Sequence, residues 1–305
     1  MTDANGYYLF DSLIGGEYIV EIPSTNFGSG QPLEGFASST GNGALYGTDS
    51  AADPDDNADG DDNGLLNGNP MFVGSVVSDT LTLGNSEPLN ENPNNDLSPA
   101  LDENSNLTVD FGFVPMMSIG NQVWNDANNN GLFDAGETPI SGVEVVLHYI
   151  NPNTGLCDVL YTTTTDGNGY YLFSNLIQGS YIVELPGSNF ATGGPLEGTT
   201  SSTGSGQASL VSGPNENPSI QIDPDNNVDG DDNGVYNGNA MFPGSVVSDT
   251  LALVWNNEPT GETPNNDTSI ATDNNSNLTV DFGFFTIYSI GNQVWSDANN
   301  NGVKD

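Results

Sequence analysis

Ser118-Ile-Gly-Asn-Gln-Val-Trp124 occurs a second time, unchanged, as Ser289-Ile-Gly-Asn-Gln-Val-Trp295. Outward from this heptapeptide, the same displacement carries Ser105-Asn-Leu-Thr-Val-Asp-Phe-Gly-Phe113 onto Ser276–Phe284. Asn5-Gly-Tyr-Tyr-Leu-Phe10 matches Asn168–Phe173 at a slightly smaller displacement, the difference being absorbed by insertions in the loops between. A long fixed period outranks local propensity in setting architecture, so the chain reads as a tandem array. A complete unit spans 118–284, residues 1–113 match an N-terminally truncated unit, and 289–305 match only the opening strand and following loop of a further one. Two explanations of this phase stand. Either the sequence is a window on a longer repetitive chain, or a complete chain polymerises head to tail, donating 289–295 as a strand to the truncated unit of the next subunit.

Strand patterns fill the unit. Val143, Val145, Leu147 and Tyr149 alternate with Glu144, Val146 and His148, and Leu278, Val280, Phe282 and Phe284 alternate with Asn277, Thr279, Asp281 and Gly283. Such a period of two places one apolar face against a core, which puts His148 on the solvent side. Thr165-Asp-Gly-Asn-Gly169, between Leu160–Thr164 and Tyr170–Phe173, reads as a hairpin turn because Asn and Gly tolerate positive φ. Further strands are expected at Tyr181–Leu185 and Ser245–Leu253. No helical periodicity occurs, so the expected fold is all-β: tandem immunoglobulin-like or prealbumin-like sandwiches, with long loops at 187–222 and 254–275.

Composition narrows the partners. One lysine, no arginine and 41 acidic residues give a formal charge of -40 over 305 residues. Nucleic acid and anionic membrane surfaces are repelled by such a chain, and no counter-ion release is available to draw them in. No run approaches the ~18 apolar residues of a membrane span, so membrane insertion is not expected in this segment. Cations are the natural partners.

The most specific motif is Asp126-Ala-Asn128-Asn-Asn130-Gly-Leu132-Phe-Asp134-Ala-Gly-Glu137. Oxygen side chains at alternate positions, glycine at the sixth and glutamate at the twelfth match the loop that wraps calcium, with the Leu132 carbonyl as the seventh-position ligand. Its strand-like flanks imply the loop without the usual helix pair. A partial copy follows at Asp297, Asn299, Asn301 and Asp305. A second candidate is Asp223, Asp225, Asn227, Asp229, Asp231 and Asn233, repeated as Asp53, Asp55, Asn57, Asp59, Asp61 and Asn63. Here the twelfth position is Tyr236 or Leu66, so the closing carboxylate must come from elsewhere, Asp223 or Asp232 being the nearest.

Catalysis has little to stand on. His148 and Cys157 are the sole histidine and cysteine, and neither has a sequence neighbour that would activate it. An enzyme is not expected.

The run Ile119–Trp124, the Asp126–Glu137 loop, Pro139-Ile-Ser-Gly-Val143, Thr164–Tyr170, Gly179-Ser-Tyr-Ile-Val-Glu184 and Leu278–Phe284 together resemble the calcium-binding B-type repeat of the serine-aspartate repeat surface adhesins, relatives of the collagen-adhesin B-type sandwich. The resemblance implies a sandwich fold, secretion to the bacterial surface and calcium used to rigidify a stalk, with Asp126, Asn128, Asn130, Asp134 and Glu137 as ligands. Related sandwiches crosslink themselves through Lys–Asn isopeptide bonds. Unit 118–284 contains no lysine, so cations would carry the stiffening alone. The expected function is a calcium-stiffened extracellular stalk or filament that touches neighbouring copies head to tail. The alternative is a ligand-binding adhesin module acting through its long loops. Asp79-Thr80-Leu81 and Asp249-Thr250-Leu251 are also similar to an O-glycosylation signal of surface-protein-rich bacteria, which adds glycans to the candidate partners, beside the plainer reading of both as strand threonines.

Overall fold

The computed structural model describes residues 1–40, 52–55, 60–89, 91, 100–202, 225, 230–237, 239–262, 267–269, 271–298, 300 and 302–304. Among them every regular element is a β-strand or a short 3-10 turn. The strands of the first third are β1 Gly16–Tyr18, β2 Glu21–Ile22, β3 Phe36–Ser38, β4 Leu65–Leu66, β5 Val76–Val77, β6 Leu81–Leu83 and β7 Phe113–Pro115. Then come β8 Met117–Asn125, β9 Thr138–Pro139, β10 Glu144–Ile150, β11 Cys157–Thr164, β12 Tyr170–Leu176 and β13 Gly179–Leu185. The series ends with β14 Thr199–Ser201, β15 Val235–Tyr236, β16 Val246–Val247, β17 Leu251–Leu253, β18 Ser276–Asn277 and β19 Phe282–Thr286.

From β8 onward these form two six-stranded sheets. One has the order β11-β10-β13-β16-β15, with β17 also on β13; the other has the order β12-β8-β19-β14, with β9 and β18 also on β8. Their inner faces supply one shared core: Met117, Ile119 and Val123 from β8, Val145, Leu147 and Tyr149 from β10, Tyr181, Val183 and Leu185 from β13, and Phe282 and Phe284 from β19. Two sheets that bury their apolar faces against each other make a sandwich, the arrangement that removes both faces from water at once. Burial at about 25 cal/mol per Å2 of apolar surface is what holds the layers. Tyr171, 3 % exposed, donates its hydroxyl to Val280 O at 2.5 Å and so ties β12 to the segment that leads into β19.

Several expectations change. The 165–169 turn is not a hairpin: β11 lies in one sheet, paired with β10, and β12 in the other, paired with β8. Asp166 caps it by accepting from the Asn168 and Tyr170 amides at 2.8 and 2.9 Å. The same Asn/Gly chemistry therefore turns the chain between layers. His148 does not face solvent; it is 4 % exposed. The outer face of β10 is covered by the segment at 239–245, whose Phe242 ring lies 4.5 Å from the imidazole. Ser245–Leu253 is two short strands instead of one. Residues 287–298 carry no strand, although 289–295 repeats the β8 heptapeptide. Sequence alone does not make that segment a strand; β8 is one because β12, β18 and β19 flank it.

In the first third, β1–β6, β2–β5–β4 and β3–β7 form small sheets. Asn5–Phe10, the counterpart of Asn168–Phe173, is not a strand there, because no counterpart of β8 stands beside it among the described residues.

Candidate metal centre

The 126–137 loop leaves the end of β8 and returns at β9, which pairs back on Trp124 and Asn125. Both ends of the loop are thus anchored on one strand. Asp126 is fully buried and accepts from the Gly131 amide at 2.7 Å and the Asn130 amide at 3.2 Å, curling the first half into a ring. Asn129 and Gly131 take positive φ, at 53° and 75°, which lets the ring close. Asn128 and Asn130 both donate their amide Nδ2 to Asp134 Oδ2, each at 2.8 Å. Glu137 closes the mouth: Oε1 accepts from the Ala127 amide at 2.8 Å and Oε2 from the Asp134 amide at 3.0 Å.

The third, fifth, ninth and twelfth positions of the motif are therefore drawn to one side of a ring whose first position is the buried Asp126. The two amide NH2 groups supply to Asp134 the positive charge density that a cation would supply, and flipping the amides end for end presents their oxygens instead. This all-oxygen donor set suits a hard divalent cation and no thiophilic one. Among the described residues, no group of three or more His, Cys, Asp or Glu side chains stands at metal-holding distances, so the carboxylates would have to close further on an ion. In the partial copy Gly302 donates to Asp297 at 2.7 Å, the bond Gly131 makes to Asp126. Asn299, Asn301 and Asp305 lie outside the described residues.

The second candidate sits beside the first. Phe133 N donates to Gly230 O at 2.7 Å and Asp232 N to Gly131 O at 3.0 Å, forming an antiparallel bridge of Leu132 with Asp231. That bridge uses the groups of Gly131 and Phe133, so the Leu132 carbonyl stays outside it. Far apart in sequence, the two loops are one structural body. Of the second candidate's residues, Asp225 accepts from the Ala252 amide with both oxygens at 3.0 Å, and Asp231 accepts from Asn233 Nδ2 at 3.3 Å. Asn233 Oδ1 is committed to the Asp281 amide at 2.8 Å. Asp232 is not the closing ligand: fully buried, it accepts from the Gly234 and Gly283 amides at 2.9 and 3.1 Å and from Ser201. Asp223, Asn227 and Asp229 lie outside the described residues, as do Asn57 and Asp59 in the earlier copy. There Asp53 accepts from the Asp55 amide at 3.0 Å, Asp55 from the Thr82 amide at 2.8 Å, Asp61 from Asn63 Nδ2 at 3.4 Å, and Asn63 Oδ1 from the Asp110 amide at 2.8 Å.

Two sets of residues escape sequence reasoning. Asp281 falls on the polar side of its alternation, yet it is 1 % exposed. Its oxygens accept from the Gln122 amide at 2.8 Å and the Gly230 amide at 2.9 Å, joining β8, the second loop and the approach to β19. Asp110 does the same for Gly60 at 3.0 Å, and the repeated Val-Asp-Phe-Gly-Phe is the available signal. The other set is the recurring Glu-Pro-x-x-Glu at 87–91 and 258–262, displaced by the same interval as the heptapeptide. Burial, opposed by the Val254 amide and seconded by the charges of Asp225 and Glu262, pushes the Glu258 carboxyl up to about 7.

That shift has a sign. A carboxyl whose folded-state value stands above its ordinary 4.5 adds stability that is complete at low pH and lost as pH rises through about 7. After discounting for solvent screening, about 1–2 kcal/mol is at stake. Metal-free protein is expected to melt at lower temperature near pH 7.5 than near pH 5.5, and Glu258→Gln to flatten that difference. Parallel melts of the two proteins across this range check it.

The comparisons with known proteins agree with this architecture. The SdrD B-like domain family matches residues 117–231, which begins with β8 and ends on the bridge between the two loops. Serine-aspartate repeat-containing protein F of Staphylococcus epidermidis is 32 % identical over 203 residues, covering 66 % of this chain and 9 % of that protein. Serine-aspartate repeat-containing protein D of Staphylococcus aureus strain Newman is 30 % identical over 280 residues, covering 73 % of this chain and 21 % of that protein. The chain thus spans no more than about a fifth of either relative. A sandwich whose opening strand, loop and layer-crossing turn fall within the matched segment identifies residues 117–231 as an SdrD B-like domain, a B-type repeat of the serine-aspartate repeat surface proteins.

Proposed function

We propose that the chain is a stretch of an extracellular, bacterial surface-exposed repeat protein, and that calcium held by Asp126, Asn128, Asn130, the Leu132 carbonyl, Asp134 and Glu137 stiffens it as a stalk or filament. The observation that carries this reading is the docking of the 126–137 loop on Gly230–Asp232. An ion that fixes the first loop also fixes the second and, through Asp281, both β8 and the run into β19. The chain has one lysine and one histidine against 41 acids, and the histidine is engaged with Glu184 at 2.6 Å. Cations from solution are the remaining means of neutralising its carboxylates. Thr80 and Thr250 lie exposed just ahead of β6 and β17, where a glycan could be attached; the intact mass of native material would show one.

Extracellular calcium modules bind at about 10⁻⁴–10⁻³ M, and at ten times Kd one site adds about 1.4 kcal/mol. For a unit of this size that is about 3–6 °C of melting temperature per site. Millimolar calcium is expected to raise the melting temperature by at least that much and excess chelator to reverse it, with Glu137→Gln losing the share that belongs to the 126–137 loop. Electron microscopy of native material with and without chelator tests the stiffening. Unchanged melts together with unchanged fibre shape would overturn the reading.

A further inference from the structure

We propose that the first third of the chain carries an acceptor groove for a β-strand, between residues 5–10 and 105–113, and that its occupant is the segment 289–295 of a second copy of the chain. The proposal goes beyond the calcium reading and does not require the 126–137 loop to hold an ion.

The first ground is a groove already shaped. In unit 118–284, β8 lies between β12 on one side and β18 and β19 on the other. The counterparts of these flanking strands are 5–10 and 105–113, and they stand to each other as their later copies do. Tyr8 donates its hydroxyl to Val109 O at 2.6 Å, as Tyr171 does to Val280 O at 2.5 Å. The Tyr8 ring lies 5.8 Å from that of Phe10 and 6.2 Å from that of Phe111; Tyr171 keeps the same 5.8 and 6.2 Å to Phe173 and Phe282. In the later copy β8 fills the space that these contacts bridge, and in the first third no strand fills it among the described residues. Phe10 and Leu13 are 62 and 47 % exposed, where Phe173 and Leu176 are 2 and 0 %. Part of what covers the later pair is Ile119 and Met117, paired directly beside them on β8.

The second ground is the occupant. Segment 289–295 repeats the β8 heptapeptide residue for residue, so it offers every group with which β8 meets its neighbours. It forms no strand of its own. Ile290 and Val294, the counterparts of the core residues Ile119 and Val123, are fully exposed. In a chain with 41 acids, residues 285–296 carry no charge, and neither do 5–10 and 104–109, so donor and groove meet without the repulsion that acts elsewhere between copies. The β8 register sets Gln293 beside Tyr7, Ile290 beside Phe10 and Val294 beside Phe111. Strand addition of this kind supplies backbone hydrogen bonds on both sides of the groove.

The third ground is direction, which assigns the strand to a second copy. Because β19 runs parallel to β8, with Phe284 beside Asn125, the chain leaves the sandwich at the Asn125 end, where Ile287 N is bonded to Gly198 O at 3.0 Å. The first third joins the opposite end, through β7 into Met117. The length of β8, at about 3.3 Å per residue, separates the two ends by far more than residues 287–288 span. Each copy thus donates at one end and accepts at the other, a head-to-tail contact that builds rows instead of closed pairs.

The test uses the whole chain with chelator present, so that its outcome is independent of the calcium reading. Tyr7→Cys and Gln293→Cys are combined on Cys157→Ser, because their counterparts Tyr170 and Gln122 are direct neighbours, and the oxidised protein is run on a non-reducing gel. The expected result is a ladder that passes the dimer, since every copy offers a cysteine at each end; either cysteine alone stops at the dimer. Ile290→Asp with Val294→Asp, at positions exposed in the free chain, is expected to abolish the ladder and, in the otherwise unaltered chain, to reduce the sedimenting mass to that of a monomer with an unchanged melting temperature. Absence of a ladder, a crosslink within one chain, a ladder that survives the two aspartates, or a wild type that sediments as a monomer at every concentration overturns the proposal. Melts with and without calcium bear on the 126–137 loop alone, so the two readings fail separately.

Discussion

Asp281→Ala is expected to lower the melting temperature of the protein by about 6–20 °C, corresponding to about 3–5 kcal/mol. The carboxylate is 1 % exposed and accepts from the backbone of Gln122 and of Gly230. Alanine would leave both amides inside with no acceptor, at about 1–3 kcal/mol each, and would open a small void besides. Because Asp281 is where the second loop meets the sheet, the damage should reach beyond the core. Amide hydrogen exchange at Gly230 and Gln122 is expected to accelerate more than exchange in β10 and β13. Asp281→Asn keeps one acceptor and should fall between the two proteins. A melting temperature for Asp281→Ala indistinguishable from wild type would remove this residue from the architecture proposed for the paired loops.

A second large effect is expected from Gly169→Ala, at about 2–4 kcal/mol, and a companion substitution separates its causes. Gly169 has φ of 75° and Gly142 of 76°, so both demand a conformation that costs an L-residue about 1 kcal/mol. Space divides them. A Cβ at Gly169 would stand 2.4 Å from Val123 O and 2.9 Å from the Pro139 ring, whereas at Gly142 it meets nothing within 4 Å. Gly169 is where the layer-crossing turn presses on β8 and β9, and there is no flexible side chain to yield. Gly142→Ala is therefore expected to cost only the torsional part. Chemical denaturation of both variants decides the matter: equal losses would mean that the close approach at Gly169 contributes nothing.

The parts of this fold that could be read from sequence are those that depend on near neighbours. Val145, Leu147 and Tyr149 announce a strand because each needs only its own alternation and a core to face. The 126–137 loop is legible for the same reason. Its ring is closed by Asp126, Asn130, Gly131 and Glu137 within a single short segment, and Asp297 and Gly302 reproduce the first bond of that ring even where no sandwich surrounds them. What escaped reading is set by distant partners. Nothing in Thr165–Gly169 says whether the next strand joins the same sheet or the opposite one, since the turn residues satisfy either. His148 looks outward in sequence because its cover, Phe242, arrives much later in the chain. Asp281 and Asn233 exchange backbone and side-chain hydrogen bonds across 48 residues, a pairing with no local signature. The four buried glutamates are invisible because acids are counted as surface residues unless their burial is known.

The pairing of β8 with β19 has a mechanical meaning. These strands open and close the sandwich, they lie side by side, and they run parallel, with Phe282 beside Val123, Gly283 beside Trp124 and Phe284 beside Asn125. A tether pulling Met117 one way and Thr286 the other draws the two strands past each other lengthwise. Their hydrogen bonds then lie across the load and must fail together, whereas an antiparallel terminal pair would peel open one bond at a time. Sliding would also drag Phe282 and Phe284, both fully buried, through a packed interior. A chain built of such modules and held at one end would resist extension until a high force and then yield one module at a time.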